Sequence, residues 1–101
     1  MKKIALIIPT LNELENIEKL VKEIKLNLDN VTIFIIDDSK EDKLRYLINE
    51  KNIQTNYFHR KNSSGRGSAV IFGLKKSLEV GGFDIFIEMD ADFSHDPKEL
   101  T

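Results

Sequence analysis

The stretch Ile4-Ala5-Leu6-Ile7-Ile8-Pro9-Thr10-Leu11-Asn12-Glu13 decides the fold of this 101-residue chain. Its first five residues are apolar, which is typical of a parallel strand buried on both faces, and the polar segment after them predicts a loop. Apolar residues then recur at three- and four-residue steps, which predicts a helix with one buried face, at Leu14, Ile17, Leu20, Val21, Ile24 and Leu28. Strand, loop and amphipathic helix in this order predict a βα unit of a parallel sheet.

The same alternation continues along the chain. Residues 31–36 predict a second strand, residues 55–58 a weaker third strand, and residues 84–89 a fourth strand of buried character. The helical patterns between them lie at Leu44, Leu47 and Ile48, and at a third helix opened by Gly65 and Gly67 with a predicted buried face of Val70, Leu74 and Leu78. We predict one α/β domain over residues 1–101, a three-layer, Rossmann-like α/β/α fold with a parallel sheet of strand order 3-2-1-4.

Composition narrows the function classes. The net charge is −2 and the basic residues are interspersed with acidic ones, which argues against nucleic-acid binding. The chain has no cysteine, so disulfides, thiolate metal sites and cysteine nucleophiles are excluded, and a reducing compartment such as the cytoplasm is the expected location. The first apolar run ends at Pro9, too early for a signal peptide or a membrane span, so any membrane contact is expected to be peripheral.

Four polar segments are expected at one edge of the sheet. They follow the four predicted strands, at residues 9–13, 37–39, 59–60 and 90–97. In open parallel sheets, ligands bind outside the carboxyl ends of the strands, where the connections diverge. These segments therefore form the candidate site.

Asp90-Ala91-Asp92 is the strongest candidate for chemistry. Two carboxylates one residue apart at the end of a strand face the same way and can reach one ion. Mg²⁺ or Mn²⁺ is typically held by one or two carboxylates together with phosphate oxygens, so we predict a divalent-metal site here. A polar turn leading to a helix capped by Asp96 is the alternative, but it explains the paired acids poorly.

The other loops each allow two interpretations. Asn12 fits an N-cap of the first helix, with Thr10 as a competing cap, and a capping role does not exclude ligand contact. Asp38 is either a turn former beside Asp37 or the acid that holds a ribose hydroxyl. Arg66 either faces a diphosphate or is solvated in a flexible loop.

Together these segments resemble the N-terminal half of a family 2 glycosyltransferase of the GT-A fold, most closely the dolichol-phosphate mannosyltransferase or polyprenyl-phosphate glycosyltransferase branch. The matching motifs are Ile7-Ile8-Pro9-Thr10-Leu11-Asn12-Glu13, Ile36-Asp37-Asp38-Ser39, Gly65-Arg66-Gly67-Ser68-Ala69 and Met89-Asp90-Ala91-Asp92-Phe93-Ser94-His95-Asp96-Pro97. Their order and spacing run through the whole chain. The resemblance implies the nucleotide-binding half of such an enzyme, with the acceptor-binding half absent.

The resemblance also implies a donor site for a nucleoside-diphosphate sugar and a Mg²⁺ or Mn²⁺ cofactor. The implied contacts to the base and ribose are Pro9, Leu11, Glu13 and Asp38, with Asn12 beside them. The implied contacts near the ribose and diphosphate are Asp90 and Ala91, with Arg66. The implied metal ligands are Asp92, Asp90 and Ser94. Asp92 is the implied catalytic residue. The implied reaction transfers mannose or glucose, from GDP-mannose or UDP-glucose, to a polyprenyl or dolichyl phosphate. This chain alone is expected to be inactive and to self-associate or to bind a partner chain.

Two other classes fit parts of the sequence. A non-catalytic nucleotide- or metal-binding module would use the same loops without sugar transfer. A phosphoacceptor signalling domain would account for acids after a strand, but not for the late position of Asp90 and Asp92 or for residues 9–13. A dinucleotide oxidoreductase is disfavoured because no glycine-rich turn follows the first strand.

Overall fold

The computed structural model describes residues 2–11, 14, 16–60 and 65–91. Strands and helices alternate in these ranges, as the sequence predicts. The elements are β1 (Ile4–Thr10), α1 (Ile17–Asn27), β2 (Val31–Asp37), α2 (Lys43–Glu50), β3 (Asn56–His59), α3 (Arg66–Val80) and β4 (Ile85–Glu88).

The four strands form one parallel sheet in the order β3-β2-β1-β4, so the predicted order is confirmed. The register pairs Thr10 of β1 with Asp37 of β2, and Asp37 with His59 of β3. On the other side of β1, Ile7 pairs with Glu88 of β4. The strand order reverses at β1, because β2 and β3 lie to one side of it and β4 to the other. Such a reversal opens a crevice at the carboxyl ends of β1 and β4.

Each face of the sheet is covered by its own apolar cluster. Along β1, Leu6 and Ile8 face the cluster that contains the buried residues of α1 and α2, whereas Ala5 and Ile7 face the cluster that contains Ala69 of α3. Alternation of this kind follows from the two-residue period of a strand. The predicted three-layer architecture is therefore present, with α1 and α2 on one face and α3 on the other.

Helix α3 presents a different face to the sheet from the one that its apolar residues predict. Ala69, Gly73 and Ser77 are its buried residues, whereas Leu78, predicted to be buried, is 66% exposed, and Val70 and Leu74 are only partly buried. A Cβ atom on Gly73 would lie 2.6 Å from Cγ2 of Ile7. The small residues thus allow the helix backbone to approach β1 closely, which a search for large apolar side chains does not detect.

Replacing Gly73 by alanine is expected to destabilise the fold. Alanine favours a helix over glycine by about 1 kcal/mol, but the new methyl overlaps the buried Ile7, and overpacking of this kind costs about 1–3 kcal/mol. We expect a net loss, visible as a lower midpoint in thermal unfolding. Gly67→Ala is the matched control, because nothing lies within 4 Å of its added Cβ. Equal midpoints for the two variants would contradict the close approach.

Strand β4 is less buried than its sequence predicts. Ile85 and Phe86 are about two-fifths exposed, because in the described part of the chain β4 pairs with β1 alone and forms an edge of the sheet. Large apolar side chains of α3 are exposed as well, at Ile71, Leu78 and Val80. Such surface is consistent with the predicted self-association, which stays a prediction. None of the helices in the described ranges has the length and apolarity needed to cross a membrane.

Helix α1 begins later than predicted. Its first residue is Ile17 and Asn16 holds the N-cap position, so a cap at Asn12, which lies outside the described residues, is wrong. Thr10, the competing cap, is the last residue of β1, and its hydroxyl contacts Asp37 instead. Leu14 lies in a turn ahead of the helix and is partly exposed rather than on the buried face.

Candidate functional site

The carboxyl ends of all four strands meet at one edge, as predicted. Backbone hydrogen bonds extend the sheet past its last paired residues: Asp38 donates to Thr10 at 3.0 Å and Arg60 donates to Asp37 at 2.9 Å. On the other side, Met89 donates to Ile7 at 3.0 Å. These hydrogen bonds hold the first residue of the loops after β2, β3 and β4 against the neighbouring strand.

Asp37 is a fully buried carboxylate that fastens three strand ends together. Its Oδ1 accepts hydrogen bonds from the Thr10 hydroxyl at 3.2 Å, and from the Ser39 backbone N–H at 3.0 Å and hydroxyl at 2.6 Å. Its Oδ2 accepts from the Tyr57 hydroxyl at 2.6 Å. A buried carboxylate is stable only with such a set of donors. Asp37 is therefore a structural residue of the site's frame, on the same face of the sheet as α1 and α2.

The Tyr57 hydroxyl gives this cluster a testable pH dependence. Burial, followed by the hydrogen bond to Asp37, raises the pKa of Tyr57. Because the unfolded tyrosine ionises near a pKa of about 10, this contribution to stability is present below that pH and is lost as pH rises above it. Tyr57→Phe is expected to be less stable than the parent near neutral pH, by about 1.5–3 kcal/mol for a bond to a charged group.

The difference in free energy of unfolding between the parent and Tyr57→Phe should become smaller above about pH 10 in denaturant titrations, because only the parent loses the Tyr57 contribution there. Tyr46→Phe is the control, since Tyr46 is 67% exposed and its loss should change stability little at either pH. A gap between parent and Tyr57→Phe that is constant or widens at alkaline pH would be inconsistent with a neutral Tyr57 donating to Asp37.

Asp38, predicted to bind ribose, forms a nearly buried ion pair with Arg60. Arg60 Nε lies 2.7 Å from Asp38 Oδ1 and Arg60 Nη2 lies 2.6 Å from Oδ2, and the two side chains are only 8% and 7% exposed. The hydrogen bond to Asp38 raises the pKa of Arg60. Asp37 and Asp38 point to opposite faces of the sheet, which separates their charges. A ribose hydroxyl would therefore meet a carboxylate that is already paired.

Arg60 also connects β3 to the start of α3. Its Nη1 donates to the Ser68 hydroxyl at 2.8 Å, and its guanidinium lies 5.7 Å from the centroid of the Phe72 ring. Gly65, at the N-cap of α3, has a φ of 111°, a conformation that glycine adopts readily. The Gly65-Arg66-Gly67 turn is thus a helix start, as predicted, and it is anchored to the sheet through Arg60.

Arg66 lies across the end of β4, where its half-exposed side chain is ion-paired with two carboxylates. Its Nε donates to Asp90 Oδ1 at 2.7 Å and its Nη1 donates to Glu88 Oε2 at 3.2 Å. The hydrogen bond to Asp90 raises the pKa of Arg66. The structure thus brings together two predicted site residues, Arg66 and Asp90, and adds Glu88, which the sequence did not single out.

The predicted base end of the site borders an open cavity of about 670 Å³. The cavity is lined by Leu11, Leu14, Ser39, Lys40, Glu41, Lys43 and Leu44. Pro9 lies in β1 and Leu11 directly follows it, so both are on the β1 side of this edge; Pro9 is partly buried and Leu11 is 59% exposed. At the β4 side, the Ala91 side chain is buried in the apolar cluster with α1, so a ligand there would meet its backbone.

Part of the predicted site lies outside the described residues, namely Asn12, Glu13, Asp92 and Ser94. Among the residues that are described, no group of three acidic, histidine or cysteine side chains is placed to hold a metal. Of the predicted ligands, only Asp90 can be located, and its side chain is 34% exposed at the end of β4. Its carboxylate is a hard oxygen donor of the kind that suits Mg²⁺ or Mn²⁺.

Sequence reasoning placed Arg60 in a polar segment at this edge and Ser68 in a matched motif, but it assigned a role to neither, and it missed Tyr57. One signal was available for Arg60. In a parallel sheet of order 3-2-1-4, Asp37 and His59 end neighbouring strands, so the next residues, Asp38 and Arg60, are opposite charges side by side. No comparable signal marks Tyr57, because a tyrosine on a strand is usually only a packing residue.

Comparison with known families decides the class of the protein. The family described as Glycosyl transferase family 2 matches residues 5–101. The chain belongs to this family. The match includes every strand and helix described above except Ile4, the first residue of β1, so the resemblance drawn from the loop motifs is confirmed.

Curated relatives of this family 2 domain include a polyprenol monophosphomannose synthase and a dolichol-phosphate mannosyltransferase. Polyprenol monophosphomannose synthase of Mycolicibacterium smegmatis is 34% identical over 94% of this chain and 37% of its own length. Dolichol-phosphate mannosyltransferase of Pyrococcus furiosus is 37% identical over 97% of this chain and 28% of its own length. The chain thus spans well under half the length of these relatives.

Solved structures agree on the fold. Glucosyl-3-phosphoglycerate synthase from Mycobacterium tuberculosis, in complex with Mn²⁺, UDP and glucosyl-3-phosphoglycerate, matches 95% of this chain and 36% of its own, with a TM-score of 0.65 and 23% identity. S. aureus TarS matches 89% of this chain and 16% of its own, with a TM-score of 0.66 and 19% identity. At these identities the likeness supports the GT-A fold of the family 2 domain and nothing finer.

Proposed function

We propose that this chain is the donor-binding part of a metal-dependent glycosyltransferase that moves a hexose, mannose or glucose, from a nucleoside-diphosphate sugar to a polyprenyl or dolichyl phosphate. One observation carries the proposal: in a chain that belongs to family 2, Asp90 lies at the end of β4, beside β1, where the strand order reverses. Ligands of open parallel sheets bind at this position. The relatives' names support the acceptor class, because they specify polyprenol and dolichol phosphate.

The donor would lie along the carboxyl edge. We place its base and ribose near the β1 and β2 ends and its diphosphate near the β4 end. The proposed base and ribose contacts are Pro9, Leu11, Asn12, Glu13 and Asp38, and the proposed diphosphate contacts are Arg66, Asp90, Ala91 and Asp92. The cavity beside Leu11 offers room at the base end. GDP-mannose and UDP-glucose are both candidates for the donor.

Asp90, Asp92 and Ser94 are the proposed ligands of a Mg²⁺ or Mn²⁺ ion. The oxygen-only donor set fits such a hard cation, and Asp90 is reachable from solvent. When bound, the ion would neutralise negative charge on the departing nucleoside diphosphate. We assign the catalytic role to Asp92, because the resemblance of the Asp90-Ala91-Asp92 motif to that of family 2 glycosyltransferases implies it. The Mn²⁺ and UDP complex of glucosyl-3-phosphoglycerate synthase supports this cofactor class.

The protein has mainly to position the acceptor phosphate for this reaction. A lipid phosphate is already ionised at neutral pH, so the attacking oxygen needs no general base. The protein must hold this oxygen in line with the anomeric carbon of the sugar. A polyprenyl phosphate also requires access to a bilayer, so we propose peripheral contact at the cytoplasmic face of the membrane.

The test combines donor binding with sugar transfer. Calorimetric titration of the chain with GDP and with UDP, each with and without Mn²⁺, should show binding that depends on the metal. Transfer of labelled sugar from GDP-mannose or UDP-glucose to a short-chain polyprenyl phosphate is then assayed with the full translation product, because we predict that residues 1–101 alone do not transfer. Metal-dependent binding without transfer would favour the non-catalytic module. Failure to bind either nucleotide with Mn²⁺ would overturn the proposed site.

A further inference from the structure

Arg66 connects two elements that both border the proposed phosphate end of the site. It is the first residue of α3, and its guanidinium contacts Asp90 at 2.7 Å and Glu88 at 3.2 Å, both at the end of β4. The Arg66 side chain is 48% exposed, so it has room to move. The contact thus holds the start of α3 to the edge strand through a guanidinium that solvent can reach.

The Asp90 carboxylate has two candidate cationic partners, the Arg66 guanidinium and the proposed metal ion. Asp90 is a proposed ligand of a divalent metal, and one of its oxygens already accepts a hydrogen bond from Arg66. A dication on Asp90 and a guanidinium within hydrogen-bond distance of it would repel each other, and an exposed site screens that repulsion only in part. Metal and Arg66 should therefore compete for Asp90.

Glu88 can still bind Arg66 when a metal ion binds Asp90. The Glu88 carboxylate is half-exposed and contacts a different nitrogen, Nη1, so this bond can persist while Nε leaves Asp90. A guanidinium held there lies beside the place where the diphosphate is proposed to bind. Arginine suits such an exchange because its planar fork pairs equally with carboxylate and phosphate oxygens.

We propose that Arg66 is a positioning residue that occupies Asp90 in the empty site and transfers from Asp90 to the diphosphate when metal and nucleotide bind. This inference rests on the proposed function. It predicts opposite effects of one substitution: losing Arg66 should help the metal alone and harm the nucleotide. A residue that only stabilised the fold would move both affinities the same way.

The experiment compares the chain with its Arg66→Gln variant. Free Mn²⁺ is measured by electron paramagnetic resonance at low ionic strength without nucleotide, and GDP and UDP binding is measured by calorimetry at saturating Mn²⁺. We expect Arg66→Gln to bind Mn²⁺ about three- to tenfold more tightly and the nucleotide more weakly by a similar factor. The gain in Mn²⁺ affinity should shrink as salt is added.

Two further variants serve as controls. Arg45→Gln removes an arginine from an exposed pair with Asp42 and should leave both affinities unchanged. Arg66→Lys keeps the charge without the fork and should lie between parent and Arg66→Gln. Equal Mn²⁺ affinity in parent and Arg66→Gln, or a shift of both affinities in one direction, would overturn this inference while leaving the metal site in place. Absence of Mn²⁺ binding in every variant without nucleotide would overturn this inference, and absence of any Mn²⁺ effect on nucleotide binding as well would overturn the metal site itself.

Discussion

Replacing Arg60 by methionine is expected to lower the free energy of unfolding by about 3–5 kcal/mol, because it leaves Asp38 as a nearly buried carboxylate without a counter-ion. The variant also loses the bond from Arg60 to the Ser68 hydroxyl, which ties α3 to the sheet. Domains of this size are stable by only about 5–15 kcal/mol, so the loss would be a large fraction of the total. Urea titration followed by circular dichroism measures it.

Two comparison variants isolate the cause. Arg45→Met removes a guanidinium of the same size from a half-exposed pair with Asp42, where the loss should be about 1 kcal/mol or less. The double variant with Asp38→Asn and Arg60→Met also removes the unpaired Asp38 charge, so it should recover part of the stability. If Arg60→Met cost no more than Arg45→Met, the pair with Asp38 would not contribute as its burial indicates.

The topology was predictable because it depends on periodicity. Short apolar runs alternating with helical spacing identify a parallel sheet, and right-handed crossovers then limit how the strands are ordered. The predicted buried face of α3, which was chosen from its large apolar residues, was wrong: Leu78 is exposed and Gly73 faces β1. A helix whose backbone packs against a strand needs small residues there, and large apolar side chains do not reveal that requirement.

The sheet edge at which the candidate site lies was predictable, but the contacts between side chains along that edge were not. Asp38 and Arg66 were singled out because of the loops in which they lie, yet their partners depend on the register of strands distant in sequence. Arg60 is paired with Asp38 because β2 and β3 end level with each other, and Arg66 reaches Asp90 because α3 starts above the end of β4. Such contacts require the assembled fold.

We expect Asp92→Asn to impair function more than the other substitutions. The substitution keeps the size of the side chain but removes one of the two carboxylate charges that we propose hold the metal. Because loss of outer partners alone commonly weakens metal binding by about 10- to 100-fold, loss of a direct ligand should weaken the metal-dependent part of nucleotide binding by at least that much. The fold should be unaffected, and its far-ultraviolet circular dichroism unchanged.

The most direct measurement is therefore calorimetric titration of parent and Asp92→Asn with GDP and UDP, each with and without Mn²⁺. Asp29→Asn, at an exposed position just ahead of β2 and hence at the opposite edge of the sheet, is the matched control. We predict that Mn²⁺ strengthens binding of at least one nucleotide to the parent and to Asp29→Asn, and that Asp92→Asn loses this gain. Equal Mn²⁺-dependent binding by Asp92→Asn and the parent would contradict a metal-assisted donor site at the end of β4.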